Sequence, residues 1–252
     1  MNFLSKAALF GSTVLALVAC GGGDTAESLN VGPGQVRFVN AVPASPSLAL
    51  YRKDDMENEA GVQAYEGASK YYDTVNVTSD WSARDATTGT QLGVTSMRVE
   101  NGTLYTLVAL PGSGSAYKLL QISDPYNKPL DSDRARVRIV NGTPEVGSFD
   151  VYITAVGADI GSATPAMAGV AGQMPSPASG SDSFMTGDGT YQIRLTGAGS
   201  KSVFFSGTFK LGNDDDVLLI TLPGAASGEV KILDIPAGKT QSNTEILNEA
   251  GG

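Results

Sequence analysis

The fold of this chain is decided by a phrase that the sequence contains twice. Residues 135–152 read ARVRIVNGTPEVGSFDVY, and residues 35–51 read QVRFVNAVPASPSLALY. Both contain Val-Arg-x-Val-Asn, a Pro three residues after the Asn, and a Tyr eleven residues after it. The alternation in Val-Arg-x-Val is typical of a half-buried strand, and Asn and Pro are typical of turns. The phrase therefore predicts a strand, a corner and a second strand, each present twice.

The similarity continues in the same order along the chain. WSAR at 81–84 corresponds to YQIR at 191–194, YTLVALPG at 105–112 to LLITLPG at 218–224, and YKLLQI at 117–122 to VKILDI at 230–235. The spacing grows only between these segments, which is what insertions in loops produce. We therefore predict an internal duplication, with a first repeat at residues 34–126, a linker at 127–133, a second repeat at 134–236 and a C-terminal tail at 237–252.

Each repeat consists of short apolar runs separated by turn residues. LYTLVAL and VLLITL are nearly continuous apolar runs closed by Pro-Gly, which favours central strands over helices. Asn101-Gly102 is a strong hairpin signal. Six or seven short strands in each repeat predict an all-β fold with two tandem immunoglobulin-like β-sandwich domains. Within the long loop 155–183 we expect one short strand near Met167 to Val170, and QSNTEILNEA at 241–250 is the one stretch with a helical period.

The first twenty residues predict the compartment. MNFLSK carries one cation, Lys6, and is followed by an apolar run that ends at Cys20. Residues 1–19 are therefore predicted to be a secretory signal peptide, which is too short for a stable membrane-spanning helix. LVAC at 17–20 resembles the lipobox of bacterial lipoproteins, which implies cleavage before Cys20 and acylation of that residue. Cys20 is the only cysteine, so it has no partner for an intramolecular disulfide bond.

The segment after Cys20 predicts a tether and a location. Residues 20–33 are Gly-rich and lack apolar periodicity, which is typical of a flexible linker. Two or three acyl chains would anchor the protein stably to a membrane. Gly21 rather than Asp follows the Cys, and by resemblance to Gram-negative sorting rules this favours the outer membrane. We expect a lipid-anchored protein of the cell envelope.

Composition excludes several functional classes. The 252 residues carry a formal net charge of −9, which does not suit nucleic acid, because phosphate binding needs clustered Lys and Arg. The chain has no His, so Ser-His-Asp sites, His-ligated metals and His general bases are excluded. We predict no cofactor and no enzymatic activity; carboxylate, Lys, Tyr or Ser chemistry is what an enzyme could still use.

Three features together resemble a known bacterial family. The Val-Arg-x-Val-Asn-x-x-Pro opening, the strand that ends in Tyr, and the late Leu-Pro-Gly strand look like the domain of unknown function 4397, DUF4397. The resemblance covers about residues 34–126 and 134–236. It departs at NAVPASP and NGTPEVG, where the family usually has His or an acidic-Ala-Pro stretch. The family implies a secreted or lipid-anchored β protein, often with two copies of the domain, and supplies no catalytic residue.

A few side chains are candidates for ligand contact. Tyr71 and Tyr72 lie in SKYYD and could be exposed, or they could edge a strand. Trp81 could form a sugar platform, but its position inside a strand favours the core. Arg37 and Arg138 recur at matched positions, as do the Arg residues of WSAR and YQIR. These Arg side chains face away from their aliphatic neighbours, so we expect solvent-facing cations that block edge pairing, with a carboxylate or phosphate site as the alternative.

Metal and acid–base sites receive little support. Residues 213–216 read NDDD and could attract calcium, but the first repeat has NGTL at the equivalent place, which favours a solvated hairpin tip; we predict no metal site. Adjacent acids in a charged loop do not make a glycosidase pair, which needs a fixed separation across a cleft.

These observations leave three functional hypotheses. The first is a non-catalytic lipid-anchored envelope protein whose two sandwiches have a binding or structural role. The second is a surface protein that binds carbohydrate through Tyr71, Tyr72 and Trp81. The third, with least support, is a carboxylate-dependent hydrolase. The expected partners are a membrane through the lipid anchor and an envelope protein or a glycan; the oligomeric state is open.

Overall fold

The computed structural model describes residues 32–125, 133–178, 184–237 and 243–249, and these residues are all-β. Within these ranges there are short 3-10 turns at Asn58–Ala60 and Pro144–Val146 but no α-helix. None of the described segments forms a helix with the length and apolar character needed to cross a bilayer. The all-β prediction is confirmed. The predicted signal peptide, Cys20, most of the tether and most of the linker lie outside the described residues.

The strands of the first repeat are β1 (Gly34–Asn40), β2 (Leu48–Arg52), β3 (Asp55–Met56), β4 (Val62–Gln63), β5 (Tyr72–Thr74), β6 (Thr78–Asp85), β7 (Gln91–Arg98), β8 (Thr103–Pro111) and β9 (Tyr117–Pro125). The strands of the second repeat and the tail are β10 (Arg134–Val140), β11 (Phe149–Ala155), β12 (Met167–Val170), β13 (Pro175–Ser176), β14 (Phe184–Gly187), β15 (Gly189–Gly197), β16 (Val203–Leu211), β17 (Asp216–Pro223), β18 (Val230–Pro236) and β19 (Thr244–Ile246). The short strand expected near Met167 to Val170 is confirmed as β12.

The two repeats have corresponding sheets. In the first repeat one sheet has the order β5-β1-β8-β9 and the other β3-β2-β6-β7, with β4 also paired to β2. In the second repeat one sheet has the order β13-β10-β17-β18-β19, with β14 also paired to β10. The other sheet has the order β12-β11-β15-β16. The first strand of each repeat runs parallel to the late apolar strand, β1 beside β8 and β10 beside β17.

Each repeat encloses a hydrophobic core between its two sheets. In the first repeat Phe38 and Leu107 from one sheet pack against Leu48 and Trp81 from the other. The second repeat packs Ile139, Leu219, Phe149 and Ile193 in the same way. Side chains of alternating strands that interdigitate between two facing sheets define a β-sandwich.

A third core lies between the two repeats. It joins apolar side chains of β1, β8 and β9 to those of β10, β17 and β18, among them Val39, Val108, Val140 and Ile220. The sheets that contain β1 and β10 therefore face each other, and we call them the inner sheets; the sheets that contain β2 and β11 are the outer sheets. Burial on both faces explains why β8 and β17 are continuous apolar runs rather than alternating ones.

The duplicated Asn fixes the corner between the sheets. Asn40 is fully buried, and its Nδ2 donates to Gln63 O at 3.1 Å while its Oδ1 accepts from Val42 N at 3.2 Å. Asn141 does the same in the second repeat, donating to Gly147 O at 2.9 Å and accepting from Thr143 N at 3.1 Å. A buried amide that satisfies backbone groups holds an irregular turn in one conformation. This agrees with the strand, corner and strand predicted from the phrase.

Three sequence-based expectations need correction. Asn101-Gly102 does not close a hairpin, because β7 belongs to the outer sheet and β8 to the inner one, so the turn joins two sheets. The helical period of residues 241–250 does not correspond to a helix in the described part of this segment, because β19 is a strand that pairs with β18. The alignment of WSAR with YQIR is shifted by two residues, because Tyr51 pairs with Ser82 whereas Tyr152 pairs with Arg194.

Candidate functional site

The duplicated arginines lie between the inner sheets. Arg37 and Arg138 are 4% and 3% exposed, so the expectation of solvent-facing cations was wrong. The two side chains do point away from the sandwich core of their own repeat, as the alternation predicts, but that face of each inner sheet is covered by the other repeat.

Five charged residues converge at one end of this interface, with a Tyr and a Thr beside them. We call this set the arginine cluster: Arg37, Tyr71, Thr106, Asp124, Arg136, Arg138 and Asp216. Strand register brings it together, since Arg37 pairs with Thr106 in the first repeat and Arg136 with Asp216 in the second. The apolar side chains of the third core lie beside this cluster.

Arg37 is held mainly by neutral groups. Its Nε donates to Thr106 Oγ1 at 2.8 Å, and its Nη1 donates to the carbonyl of Pro236, in the second repeat, at 3.1 Å. Its guanidinium carbon lies 4.6 Å from the centre of the Tyr71 ring, which is within the range of a cation–π contact. The Tyr71 hydroxyl completes the arrangement at 2.9 Å from Thr106 Oγ1.

The other two arginines face carboxylates. Arg138 Nη2 lies 2.6 Å from Asp124 Oδ1, which places an ion pair across the interface between the second repeat and the first. Arg136 pairs with Asp216 on the neighbouring strand. Burial raises the pKa of Asp124, and the Arg138 guanidinium opposes this shift. A pair of this kind in a largely buried interface fixes the relative position of the two surfaces, because separating the partners leaves a buried charge alone.

A second polar cluster joins the repeats at another edge. Lys231 Nζ lies 2.6 Å from Glu66 Oε1, in the first repeat, and 2.9 Å from Glu245 Oε1 on β19. Burial raises the pKa of Glu66, and a hydrogen bond with the Glu245 carboxyl raises it further. Burial, together with the nearby Glu66 carboxylate, raises the pKa of Tyr65 to about 12.

The inserted loop of the second repeat supplies a third contact. Lys118 Nζ donates to the carbonyl of Gln173 at 3.0 Å, and the Gln173 side chain donates to the carbonyl of Pro111. Gln173 N in turn donates to the carbonyl of Asn141, the corner residue of the second repeat. This part of the loop 155–183 therefore contributes to the junction between the repeats.

The aromatic candidates divide between the cores and the arginine cluster. Tyr72 and Trp81 are 5% and 1% exposed and belong to the core of the first repeat, so neither ring offers a face to a ligand in this conformation. Tyr72 lies on the edge strand β5, which agrees with the alternative that it edges a strand and not with an exposed ligand contact. Trp81 has the core position favoured for it. Tyr71 is half-buried, and burial raises the pKa of its hydroxyl. Cys20, the predicted lipidation site, lies outside the described residues.

The outer sheets differ in how they are covered. In the first repeat Tyr51 is half-buried, and the Arg84 guanidinium carbon lies 4.4 Å from the centre of its ring. The equivalent Tyr152 is 2% exposed, with Lys201 Nζ at 4.5 Å from its ring. Lys201 also donates to the carbonyl of Ile160 at 2.8 Å, so the inserted loop lies over this face of the second repeat.

The acidic stretch 213–216 is engaged within the protein. Asp215 accepts from Gly212 N at 2.6 Å, and Asp216 pairs with Arg136. Across the described part of the chain, no group of three or more His, Cys, Asp or Glu side chains has an arrangement that could hold a metal ion. The calcium hypothesis gains no support from these positions.

Sequence reasoning missed the carboxylates of the arginine cluster, although one signal was available. β8 is apolar on both faces, which means that the outward face of its sheet is covered. Arg37 lies on that face one strand away, so it had to be buried and hydrogen-bonded. The cluster places opposite charges on the two facing inner sheets, and the attraction between these charges holds the sheets together.

The fold and this site define a protein of two packed β-sandwiches with a buried cluster of charged residues between the repeats. A family model described as "Domain of unknown function (DUF4397)" matches residues 34–152. This match covers less than half of the chain, and it supports the resemblance to that family for the first repeat and for the beginning of the second. No curated protein matches the chain.

One solved structure with a detectable likeness is a carbohydrate-binding module. It is CBMbc, of family CBM26, from Eubacterium rectale Amy13K, crystallised in complex with maltoheptaose. It is 15% identical to this chain, the alignment covers 79% of this chain and 95% of that one, and the TM-score is 0.23.

Proposed function

We propose that the protein is a non-catalytic, lipid-anchored component of the bacterial cell envelope. In this proposal its two repeats are tandem immunoglobulin-like domains that act as one rigid unit with a binding or structural role. Cys20 would carry the acyl chains, residues 20–33 would be the tether, and the outer membrane would be the location. The outer sheets and the loops would then meet partners in the envelope.

The observation that carries this proposal is the packing of the inner sheets. Apolar side chains from three strands of each repeat form one buried cluster, and the Arg138–Asp124 pair crosses the same interface. Domains that only share a linker move independently by default. A large apolar interface with an embedded ion pair opposes such motion, which suits a protein that holds a surface at a fixed position.

Rigidity can be measured between spin labels on the two outer sheets. Val94 and Val203 are exposed, on β7 and β16 respectively, and Cys20 is the only native cysteine. In a Cys20→Ser background, labels at Val94→Cys and Val203→Cys should give one narrow distance distribution in pulsed electron spin resonance. Labels at Val62→Cys and Val94→Cys, both in the first repeat, give the width expected within one domain. A distribution much broader than this control would contradict the rigid unit.

The anchor has a separate test. The wild-type chain, expressed in a Gram-negative host, should enter the detergent phase and carry the mass of the acyl groups. Cys20→Ala should remain in the aqueous phase without that mass, whereas Gly22→Ala should behave as wild type. A lipid-modified, membrane-associated Cys20→Ala chain would overturn the lipidation proposal and leave the rigid unit untouched.

Carbohydrate binding stays the alternative, with less support from the side chains. Of its three candidate residues, Tyr72 and Trp81 are buried, and the Tyr71 hydroxyl is bound to Thr106. A glycan array with the full chain tests it directly. Binding that Tyr71→Ala abolishes without a change in folding would favour carbohydrate recognition over the structural role.

A further inference from the structure

The arginine cluster carries more positive than negative charge. It contains the three guanidinium groups of Arg37, Arg136 and Arg138 and the two carboxylates of Asp124 and Asp216. Arg138 and Arg136 each have a carboxylate partner. Arg37 has none within 4.0 Å among the described residues, and it is held by a hydroxyl, a carbonyl and an aromatic ring. One positive charge in this buried set is therefore not balanced by an ion pair.

Arg138 also has hydrogen-bond donors without acceptors. Its side chain is buried, and its Nε and Nη1 have no hydrogen-bond partner among the described residues. Its Nη2 lies 2.6 Å from Asp124 Oδ1, although not in hydrogen-bond geometry. A buried donor without an acceptor destabilises a protein by about 1–3 kcal/mol, and more when the group is charged. The guanidinium therefore requires an acceptor that the described residues do not provide.

There is space for such an acceptor beside these groups. A cavity of about 10 Å³ is lined by Arg37, Tyr71, Asp124, Arg138 and Asp216, with apolar contacts from β8 and β17. This volume is enough for one water-sized species or one monoatomic ion. The Asp124 and Asp216 side chains are 20% and 26% exposed, so the cavity has a route to solvent.

We propose that this cavity is a binding site for one monoatomic halide anion, chloride under ordinary conditions. A water molecule would fill the space but would leave the excess charge of Arg37 unbalanced. A halide both accepts from Arg138 Nε and Nη1 and neutralises that charge, in a low-dielectric interface where the attraction is strong. The ion would act as part of the junction between the two inner sheets.

Halide-dependent stability is the first test. The full chain in detergent is unfolded thermally in chloride, bromide and gluconate salts at matched ionic strength, from low millimolar concentrations to 200 mM. Gluconate is too large for the cavity. Chloride and bromide should raise Tm by about 3 °C over gluconate, and the effect should saturate, as expected for a site that only the folded state contains. Equal Tm values in all three salts would overturn the proposal.

Two variants and a crystal separate this site from general salt effects. Arg138→Gln should abolish the difference between chloride and gluconate, whereas Arg84→Gln, an arginine on the outer sheet of the first repeat, should retain it. Where Arg138→Gln does not fold, a wild-type crystal soaked in bromide decides the question by anomalous scattering. A bromide peak next to the Arg138 guanidinium supports the site. A cavity that holds only water under the same conditions rejects it.

Discussion

Arg37 and Arg138 occupy equivalent positions in the two repeats, yet their surroundings differ. Each lies on the first strand of its repeat, points into the interface and is almost fully buried. Arg37 pairs in register with Thr106 and bonds to its hydroxyl. Arg138 pairs in register with Leu218, which offers no acceptor, and it reaches across to Asp124 of the first repeat.

This comparison shows which properties the repeats share. The backbone, the corner Asn and the apolar positions correspond, so both sandwiches form in the same way. The polar partners do not correspond: Asp124 is opposite Leu104 on β8, whereas the equivalent place in the second repeat, opposite Asp216, is Ala237. The two inner faces are therefore complementary rather than identical, which favours pairing within one chain over pairing of two identical faces.

The largest effect is expected in the core of the first repeat. Trp81 is equivalent in register to Ile193, and both are buried in the sandwich cores. Trp81→Ala should lower the free energy of unfolding by about 3–5 kcal/mol, because it removes a large buried side chain and leaves a cavity. Urea unfolding measures this. Val94→Ala, at an exposed position on the adjacent strand β7, should change it by less than about 0.5 kcal/mol. An unchanged free energy of unfolding for Trp81→Ala would contradict the core position and favour an exposed Trp81 that could contact a sugar.

The next effect concerns the ion pair that joins the repeats. Asp124→Asn leaves the Arg138 guanidinium buried without a carboxylate and should lower the free energy of unfolding by about 2–3 kcal/mol in low-chloride buffer. Asp54→Asn is the matched control, because it removes the same kind of partner from Arg84 at a fully exposed position. The control should be indistinguishable from wild type in urea unfolding. Equal effects of the two substitutions would contradict a structural role for the buried pair.

The sandwich of each repeat could be predicted from sequence because its determinants are local. Alternation along β1 and β10 and the Asn and Pro of the corner all act within about eighteen residues. The hairpin expected at Asn101-Gly102 failed because the same turn can join strands of one sheet or of two. Nothing local distinguishes these cases; the burial of both neighbouring strands against different partners decides.

The interface could not be predicted because it depends on contacts distant in sequence. Arg138 meets Asp124 across the linker, and Lys231 meets Glu66 from the opposite end of the chain. The apolar runs of β8 and β17 indicated that both faces of the inner sheets are covered, but not by what. The two-residue error in the alignment of WSAR arose because a shift of two keeps every side chain on the same face.

The third prediction uses a position where the repeats differ in charge. Asp234 is equivalent to Gln121, and burial, with the nearby Asp215 carboxylate, raises the pKa of Asp234 to about 6. A raised pKa means that the folded state prefers the protonated acid. The resulting stability is complete below the unfolded pKa near 3.8 and is lost as pH rises through about 6.

Asp234→Asn removes this titration. Its free energy of unfolding should exceed that of wild type by about 1–2 kcal/mol at pH 7.5, below the roughly 3 kcal/mol that the full shift would give for a completely shielded group. At about pH 3, below the unfolded pKa, the two proteins should be equal. Urea unfolding at both values measures the difference, and Asp80→Asn, at an exposed position on β6, should match wild type at both. A pH-independent gain would show that the amide acts through packing and not through the lost charge.

The smallest effect distinguishes a structural Tyr71 from a ligand-binding one. Tyr71→Phe keeps the ring against Arg37 and removes the hydroxyl that bonds Thr106 Oγ1, which should lower the free energy of unfolding by about 1 kcal/mol. Tyr51→Phe, on the outer sheet, is the control and should have no measurable effect, since no hydrogen bond of the Tyr51 hydroxyl is present among the described residues. If Tyr71→Phe instead leaves urea unfolding unchanged while glycan binding falls, Tyr71 contacts a ligand. In that case the arginine cluster would be an open recognition site and not a closed junction between the repeats.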